Sequence, residues 1–378
     1  MKIVIAGDFC PKDRVAKLIV AGQYAQIFDQ VRDYTSSSDY SIVNLECPVF
    51  DGQLAPIAKC GPCLKASPKS VEALKYAGFD CVTLANNHFR DYGNQGVAQT
   101  LYHLRKSDID YVGGGMNLEE AQRILYKSID NKRVAFMNVC ENEFSIAQQS
   151  DAGSAPLDIV DNIYQLQQAR QSADYLIVIV HGGHEHFQYP SPRMKKLYRL
   201  FVDMGADAVI NHHQHCYSGY EVYNNKPIFY GLGNFCFDWE GKQKSIWQEG
   251  FMVILDITDS KISFETVPYI QCDDSPTIAV LNHSQRGEFD KQLAQICSVI
   301  ADDKQLRAVN DAFIESKHRQ IVGLFSSYHN RYLNAAAYRG WLPHIITKSE
   351  IAAILNYVNC QAHRDLVVSV LSDELNKR

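Results

Sequence analysis

The feature that most constrains the fold is the alternation of short apolar runs with segments of helical periodicity over the first two thirds of the chain. The runs predicted to be strands are Lys2–Ala6, Tyr40–Asn44, Cys81–Ala85, Val134–Val139, Tyr175–Val180, Ala208–Ile210, Pro227–Tyr230, Phe251–Ile257 and Ile262–Val267. The helical patterns between them include Lys69–Tyr76, Gln95–Arg105, Asn162–Ala173 and Met194–Met204. Such alternation predicts a layered α/β domain with buried strands. Because the last strands follow one another without helices, we expect an antiparallel meander to close the sheet.

From about Ser284 the sequence shows helical apolar spacing and few strand signals. The predicted helical segments are Phe289–Ile300, Lys304–Phe325 and Lys348–Leu371. We therefore expect residues 1–275 to form the α/β domain and residues 284–378 to form a C-terminal helical appendage.

The net charge argues against nucleic-acid binding, and the cysteine content favours a reducing compartment. The net charge is −6 and the pI is about 6.1, so the chain has no basic field for nucleic acid and needs a local positive centre to handle phosphate. The first apolar run breaks at Gly7-Asp8, too early for a signal peptide, and no membrane-spanning apolar stretch follows. The eleven cysteines are an odd number in a chain too large to need disulfides, which favours reduced thiols and a cytoplasmic location.

Polar side chains gather where the predicted strands end. They are Asp8, Glu46, Asn87, His88, Asp91, His181, His213 and His215. The carboxyl ends of strands in open α/β sheets meet at one crevice, where ligands bind. Because carboxylate, amide and imidazole groups are ligands of divalent metals, the sequence predicts a site for one or two ions of Mn, Zn or Fe. Two adjacent ions would suit phosphoester hydrolysis, since they acidify a coordinated water and neutralise phosphoryl oxygens.

Ordered motifs carry a family resemblance. They are Asn44-Leu45-Glu46, Leu84–His88 with Asp91 and Gly93, Gly205–Asp207 leading into His212–His215, and Lys226–Phe235 with Asp238. Together they resemble the CapA family, which is tied to bacterial capsule and poly-γ-glutamate synthesis, over roughly Met1 to Asp238. The resemblance implies a fold similar to the calcineurin-like metallophosphoesterases, a layered sandwich of mixed sheets flanked by helices.

The resemblance also implies roles for single residues. The metal ligands it implies are Asp8, Glu46 as the bridging carboxylate, Asn87, His181, His213 and His215. His88 resembles the catalytic acid, and Asp91 its orienting partner. Two positions depart from the phosphoesterase pattern, because Cys10 replaces a histidine and Glu46 replaces an aspartate. Cys10 leaves two alternatives open, a thiolate ligand for zinc or a first ion that is weakly held or absent.

Several of these polar residues have structural alternatives. Asp8 taken alone would equally well cap a turn. Asn86 is expected to brace its loop through backbone hydrogen bonds, and His212 to have a structural role or to support a ligand. His184 and His186 either contact substrate or lie exposed on their loop.

Cys60-Gly61-Pro62-Cys63 has the spacing of a thioredoxin redox motif. It lacks the preceding buried strand and the following long helix that lower a thiol pKa, so a structural disulfide or a metal clip is favoured over a redox role. The resemblance places the adjacent Lys59 in a family loop that faces the site.

The leading hypothesis is a metal-dependent, phosphoesterase-like hydrolase that serves synthesis of a bacterial surface polymer. Its substrate would be a small molecule or the polymer, with a phosphoester as the first candidate, and a membrane synthase subunit could recruit it to the membrane. One alternative is a non-catalytic assembly subunit of such a synthase. Another is a metal-dependent amidase acting on the polymer, since the same centre can attack carbonyls.

Overall fold

The computed structural model describes residues 1–259, 261–325, 330–343 and 345–359, with isolated positions between 363 and 375. The strands among them are β1 (Lys2–Phe9), β2 (Tyr40–Leu45), β3 (Cys81–Thr83), β4 (Asp110–Val112), β5 (Gly114–Gly115), β6 (Leu125–Ile129), β7 (Lys132–Cys140), β8 (Gly153–Ser154), β9 (Tyr175–His181), β10 (Ala208–His212), β11 (Tyr220–Tyr223), β12 (Lys226–Phe229), β13 (Asn234–Cys236), β14 (Glu249–Ile257), β15 (Ile262–Gln271) and β16 (Ile278–Val280). The helices are α1 (Asp13–Val20), α2 (Tyr24–Ser36), α3 (Lys69–Tyr76), α4 (Gly93–Lys106), α5 (Leu118–Ala121), α6 (Ile159–Ser172), α7 (Pro192–Asp203), α8 (His283–Ala301), α9 (Asp303–Leu324), α10 (Arg331–Tyr338) and α11 (Lys348–Asn359).

Two mixed sheets form the framework. The first has the strand order β16-β15-β14-β1-β2-β3-β4, with β13 beside the end of β1, and the second has the order β11-β12-β10-β9-β7-β6. In each sheet the central strands are parallel and at least one edge is antiparallel. The predicted antiparallel closure is confirmed, because β14, β15 and β16 pair in succession as a meander.

Strand alternation explains how β1 is buried on both faces. Ile3 and Ile5 point into a core that also contains Val178 of the second sheet, so this core joins the two sheets. Val4 and Ala6 point to the opposite face, into a core shared with apolar residues of α1, α2 and α3. The predicted fold class, a layered α/β sandwich of mixed sheets flanked by helices, is confirmed.

The described chain separates into two compact units, Met1–Arg307 and Ala308–Arg378. The predicted boundary between residues 275 and 284 falls before α8, whose apolar residues Phe289 and Ile300 belong to the core between the sheets. The described elements of the second unit are the end of α9, α10 and α11. The predicted helix Lys348–Leu371 coincides with α11 as far as Asn359, and most positions after that lie outside the described residues.

Within the described residues, every helix is too short or too polar to cross a lipid bilayer.

Candidate metal centre

The ends of parallel strands from both sheets position the centre. In the first sheet Asp8 of β1 lies opposite Asn44 of β2. In the second sheet His181 of β9 lies opposite His212 of β10. The register of β1 shifts next to Gly7, and a side chain there would be excluded because its Cβ would lie 1.9 Å from the carbonyl oxygen of Gly233. The close approach of the backbone at Gly7 and Gly233 therefore fixes the position of Asp8 in the site.

One group of ligand atoms comes from Glu46, His181 and His213, all buried and within 4.8 Å of one another. His181 Nε2 lies 3.4 Å from Glu46 Oε1 and 3.1 Å from His213 Nδ1. Asn87 adds an amide oxygen, Oδ1, at 3.1 Å from the same nitrogen. Four electron-pair donors therefore surround one small volume.

A second group comes from Asp8, Glu46 and His215, again buried and within 4.8 Å. His215 Nδ1 lies 3.6 Å from Asp8 Oδ2, and His215 Nε2 lies 3.6 Å from Glu46 Oε1. Glu46 belongs to both groups, so its carboxylate occupies the position between them.

The electrostatics of these residues fit a cation. Glu46 is fully buried, and both of its carboxylate oxygens lack a hydrogen-bond partner among the described residues. Burial raises the pKa of Glu46 well above its ordinary value and raises the pKa of Asp8 to about 7. Burial also lowers the pKa of His181 and His215, which keeps both imidazoles neutral and able to ligate. A buried carboxylate without donors, that of Glu46, beside a second buried carboxylate and neutral imidazoles is stabilised by a divalent ion, so the residues present fit a metal centre.

The backbone after β10 is strained where it delivers two histidines. His213 has φ +93° and His215 has φ +54°, both in the left-handed region that disfavours side chains with a Cβ. Such conformations persist where the surroundings impose them, and they cluster at functional sites. Here the turn directs two imidazoles from one short segment into the two ligand groups.

A charged cluster lies beside the ligand groups. His88 Nδ1 is 2.6 Å from Asp91 Oδ2, and Lys59 Nζ is 2.5 Å from Asp91 Oδ1. The backbone N–H of Leu64 also donates to Asp91 Oδ2, at 2.7 Å. The Lys59 side chain is only 4% exposed and lies 3.4 Å from the Asn87 carbonyl oxygen, so the loop that precedes α3 reaches into the site.

The structure brings together all eight residues predicted for the site, and the exposed ring of His186 lies 6.4 Å from that of His215. Cys10 is not in either ligand group, because its buried thiol lies against Cys47 in the core under the helices, where burial raises its pKa. A zinc thiolate at Cys10, one of the two alternatives left open by the sequence, therefore has no support from this geometry. His184 and His186 lie exposed on the loop after β9. Asn86 braces its loop, as expected, by donating to the Leu45 carbonyl oxygen at 2.9 Å.

Sequence reasoning missed two asparagines that hold ligands. Asn44 Nδ2 donates to Asp8 Oδ1 at 2.8 Å, and its own Oδ1 accepts from the Thr83 hydroxyl at 3.1 Å. Asn234 Oδ1 lies 2.9 Å from His215 Nδ1. Both asparagines lie within the motifs that carry the family resemblance. That location is the sequence feature by which they could have been identified.

The two cysteines of the thioredoxin-like motif are not joined. All ten cysteines in the described part of the chain carry free thiols, with Cys60 exposed and Cys63 half-buried. The structural disulfide, one of the two roles that the sequence favoured over a redox role, is therefore not present in this structure.

Comparisons with known proteins place this site in a family context. The chain is 33% identical over 246 residues to "Capsule biosynthesis protein CapA" of Bacillus anthracis, an alignment that covers 63% of this chain and 60% of the relative. It is 36% identical over 236 residues to "PGA biosynthesis protein CapA" of Bacillus subtilis (strain 168), covering 61% of this chain and 62% of the relative. The alignments thus span about three fifths of each of these relatives.

Among solved structures, the 5'-nucleotidase precursor of Thermus thermophilus superposes with a TM-score of 0.43 at 11% sequence identity. The superposition covers 80% of this chain and 60% of that one. The profile of the family described as "Bacterial capsule synthesis protein PGA_cap" matches residues 2–239, which include every residue of the two ligand groups. That match spans more than half of the 378 residues and confirms the resemblance seen in the sequence motifs. The chain therefore belongs to the bacterial capsule synthesis protein family PGA_cap.

Proposed function

We propose that this chain is a metal-dependent hydrolase of the phosphoesterase type that serves the synthesis of a bacterial surface polymer. The observation that carries the proposal is the convergence of two buried ligand groups on one shared carboxylate, that of Glu46. The relatives named for capsule and PGA biosynthesis suggest the polymer context.

In this proposal each of the two ligand groups would hold one metal ion. Glu46, His181 and His213 would hold one divalent ion, with Asn87 beside them, and Asp8, Glu46 and His215 would hold a second. When bound, such ions supply Lewis-acid activation of water and neutralise charge on phosphoryl or carbonyl oxygens. A carboxylate suits the shared position because one negative group offers two oxygens.

In this proposal His88 moves a proton. Asp91 holds its Nδ1 at 2.6 Å, which fixes the ring and leaves Nε2 to transfer a proton to the leaving-group oxygen. Lys59 lies against the far oxygen of Asp91, so the carboxylate is held from both sides and fixes the orientation of the imidazole. His88 and its two partners therefore form the acid side of the proposed reaction.

The first experiment measures metal content by elemental analysis, together with turnover of bis(p-nitrophenyl) phosphate after reconstitution with Mn²⁺. We expect about two ions per chain in the native protein and metal-stimulated turnover. His213→Ala should lose ions and all metal-stimulated turnover. His283→Ala is the matched control, because His283 is exposed at the start of α8 and belongs to neither ligand group. Unchanged ions and turnover in the His213 variant would contradict the proposal.

A non-catalytic assembly role is the second candidate, and the position of Cys10 favours it. With its thiol against Cys47, Cys10 adds no thiolate to the group of Asp8, Glu46 and His215, which has three carboxylate or imidazole ligands among the described residues. Bound ions without turnover of any phosphoester, combined with co-purification of a membrane synthase, would support this role. Turnover of γ-glutamyl peptides in place of phosphodiesters would instead support the amidase alternative.

A further inference from the structure

The imidazole of His212 is a buried polar group that the proposed reaction does not use. The residue is 2% exposed, and neither ring nitrogen has a hydrogen-bond partner among the described residues. An unpaired buried polar group destabilises a fold, so a residue of this kind calls for an explanation. The carboxylate beside it is that of Asp8, whose Oδ1 lies 3.5 Å from His212 Nδ1.

Strand register accounts for this proximity. His212 is paired with His181 across the parallel strands β10 and β9. Directly paired residues of neighbouring strands point to the same face of a sheet. His181 points toward the first sheet, since its Nδ1 lies 4.0 Å from Asp8 Oδ1, and His212 therefore points there as well.

The two oxygens of Asp8 have different surroundings. Oδ1 accepts from Asn44 Nδ2 at 2.8 Å and is the oxygen nearest His212. Oδ2 accepts from the His213 backbone N–H at 3.2 Å and lies 3.6 Å from His215 Nδ1. Asn44 and His212 thus lie on the side away from His215, which leaves Oδ2 as the oxygen that faces the second ligand group.

We propose that His212 is a positioning residue that donates its Nδ1–H to Asp8 Oδ1 and thereby aims Oδ2 at the ion held with Glu46 and His215. This inference rests on the proposed metal centre. The contact needs to shorten by about half an ångström to reach ordinary hydrogen-bond length. Partners of this kind orient a metal ligand, and their loss weakens metal affinity by about 10–100-fold.

The test uses Co²⁺, bound to the full chain and titrated against a chelator. His212→Phe should still bind the same number of ions as the native protein, with one of the two affinities reduced by about 10–100-fold. The absorption spectrum of the saturated variant should match the native spectrum, because the set of direct ligands is unchanged. Equal affinities in the two proteins would overturn the inference.

Two amide variants give a rescue test that does not depend on how the Phe variant folds. In His212→Asn the amide nitrogen can take the place of Nδ1, so most of the affinity should return. In His212→Gln the amide nitrogen reaches closer to the place of Nε2, so affinity should stay low. Equal behaviour of the Asn and Gln variants would contradict a hydrogen bond from Nδ1.

His215→Ala is the benchmark for loss of a direct ligand. Should His212→Phe also lose an ion outright and change the saturated spectrum, His212 would be a ligand and the positioning assignment would be wrong. A native protein that binds no Co²⁺ would overturn the metal centre and the inference together. Normal ion binding with no effect at position 212 would overturn the inference alone.

Discussion

The ligand groups at the strand ends and the charged cluster around Asp91 lie side by side but differ in how their charge is balanced. In the cluster, Asp91 has a lysine, a histidine and a backbone N–H as partners. In the ligand groups, Glu46 has no hydrogen-bond donor among the described residues. The cluster is therefore electrostatically complete without an added ion, whereas the ligand groups are not.

The two regions also differ in how the backbone builds them. Asp8, His181 and His212 belong to strands, so pairing register sets their positions. Lys59 comes from the irregular segment between β2 and α3, and its position depends on the ion pair it makes. One region therefore offers buried ligand atoms to a cation from outside the chain, while the other region contains its own cation, Lys59. Changes in the two regions should consequently have opposite signatures.

The largest expected effect is that of Glu46→Leu, which removes the carboxylate shared by both ligand groups. Ion binding and metal-stimulated turnover should be lost, as measured by elemental analysis and phosphodiester hydrolysis. The free energy of unfolding of the ion-free variant, measured with urea and a chelator, should instead rise by about 1–3 kcal/mol, because an unpartnered buried carboxylate is gone. Glu119→Leu is the control, since Glu119 is 89% exposed. Retained ions in the Glu46 variant would contradict the difference between the ligand groups and the charged cluster.

Lys59→Met should show the reverse signature. It leaves the buried Asp91 carboxylate without its cation, so the free energy of unfolding should fall by about 3–5 kcal/mol. Turnover should fall because His88 loses a firmly held partner, while ion content stays at the native value. Lys196→Met on the exposed face of α7 should leave all three quantities unchanged. Ion loss in the Lys59 variant would show that the two regions are not independent.

The sequence predicted the strand ends well because the two features that mark them, an apolar run and the polar residue after it, are local in the sequence. A β-branched apolar run such as Tyr175–Val180 predicts a strand by itself, and the polar residue that follows it falls at the sheet edge. The meander at the end of the first sheet was predictable for the same reason, since no helical pattern separates those runs. The placement of Asp91 beside His88 came from the family resemblance and a spacing of three residues.

What could not be predicted depends on pairing between distant segments. The strand β1 extends to Phe9, beyond its predicted end at Ala6, because β13 pairs with it more than 200 residues later in the sequence. The register shifts near Asp8 also decide which way Cys10 points, and residue type does not encode that direction. The residue type of Asn44 and Asn234 does not indicate their contacts. Only the fold places them against Asp8 and His215.

A smaller effect is expected for Asn234→Leu, which tests whether one ligand group can be weakened by itself. His215 Nδ1 would lose its amide partner, so the affinity of the ion held by Asp8, Glu46 and His215 should fall by about 10–100-fold. The ion held by His181 and His213 should be retained, and Co²⁺ titration separates the two. Asn234→Asp keeps an oxygen at that position and should restore affinity. Equal loss of both ions would argue against two separate groups.

The smallest effect is expected for the double variant Cys60→Ser, Cys63→Ser. Cys60 is exposed and the Cys63 thiol lies 3.9 Å from the Ile57 carbonyl oxygen, so their replacement should change the free energy of unfolding by no more than about 0.5 kcal/mol. Ion content and turnover should also be unchanged, with or without a thiol reductant. The result is informative because these cysteines lie in the short segment between Lys59 and Leu64, both of which contact Asp91. Turnover that responds to the reductant in the native protein but not in the double variant would mean that a disulfide in this loop controls the charged cluster.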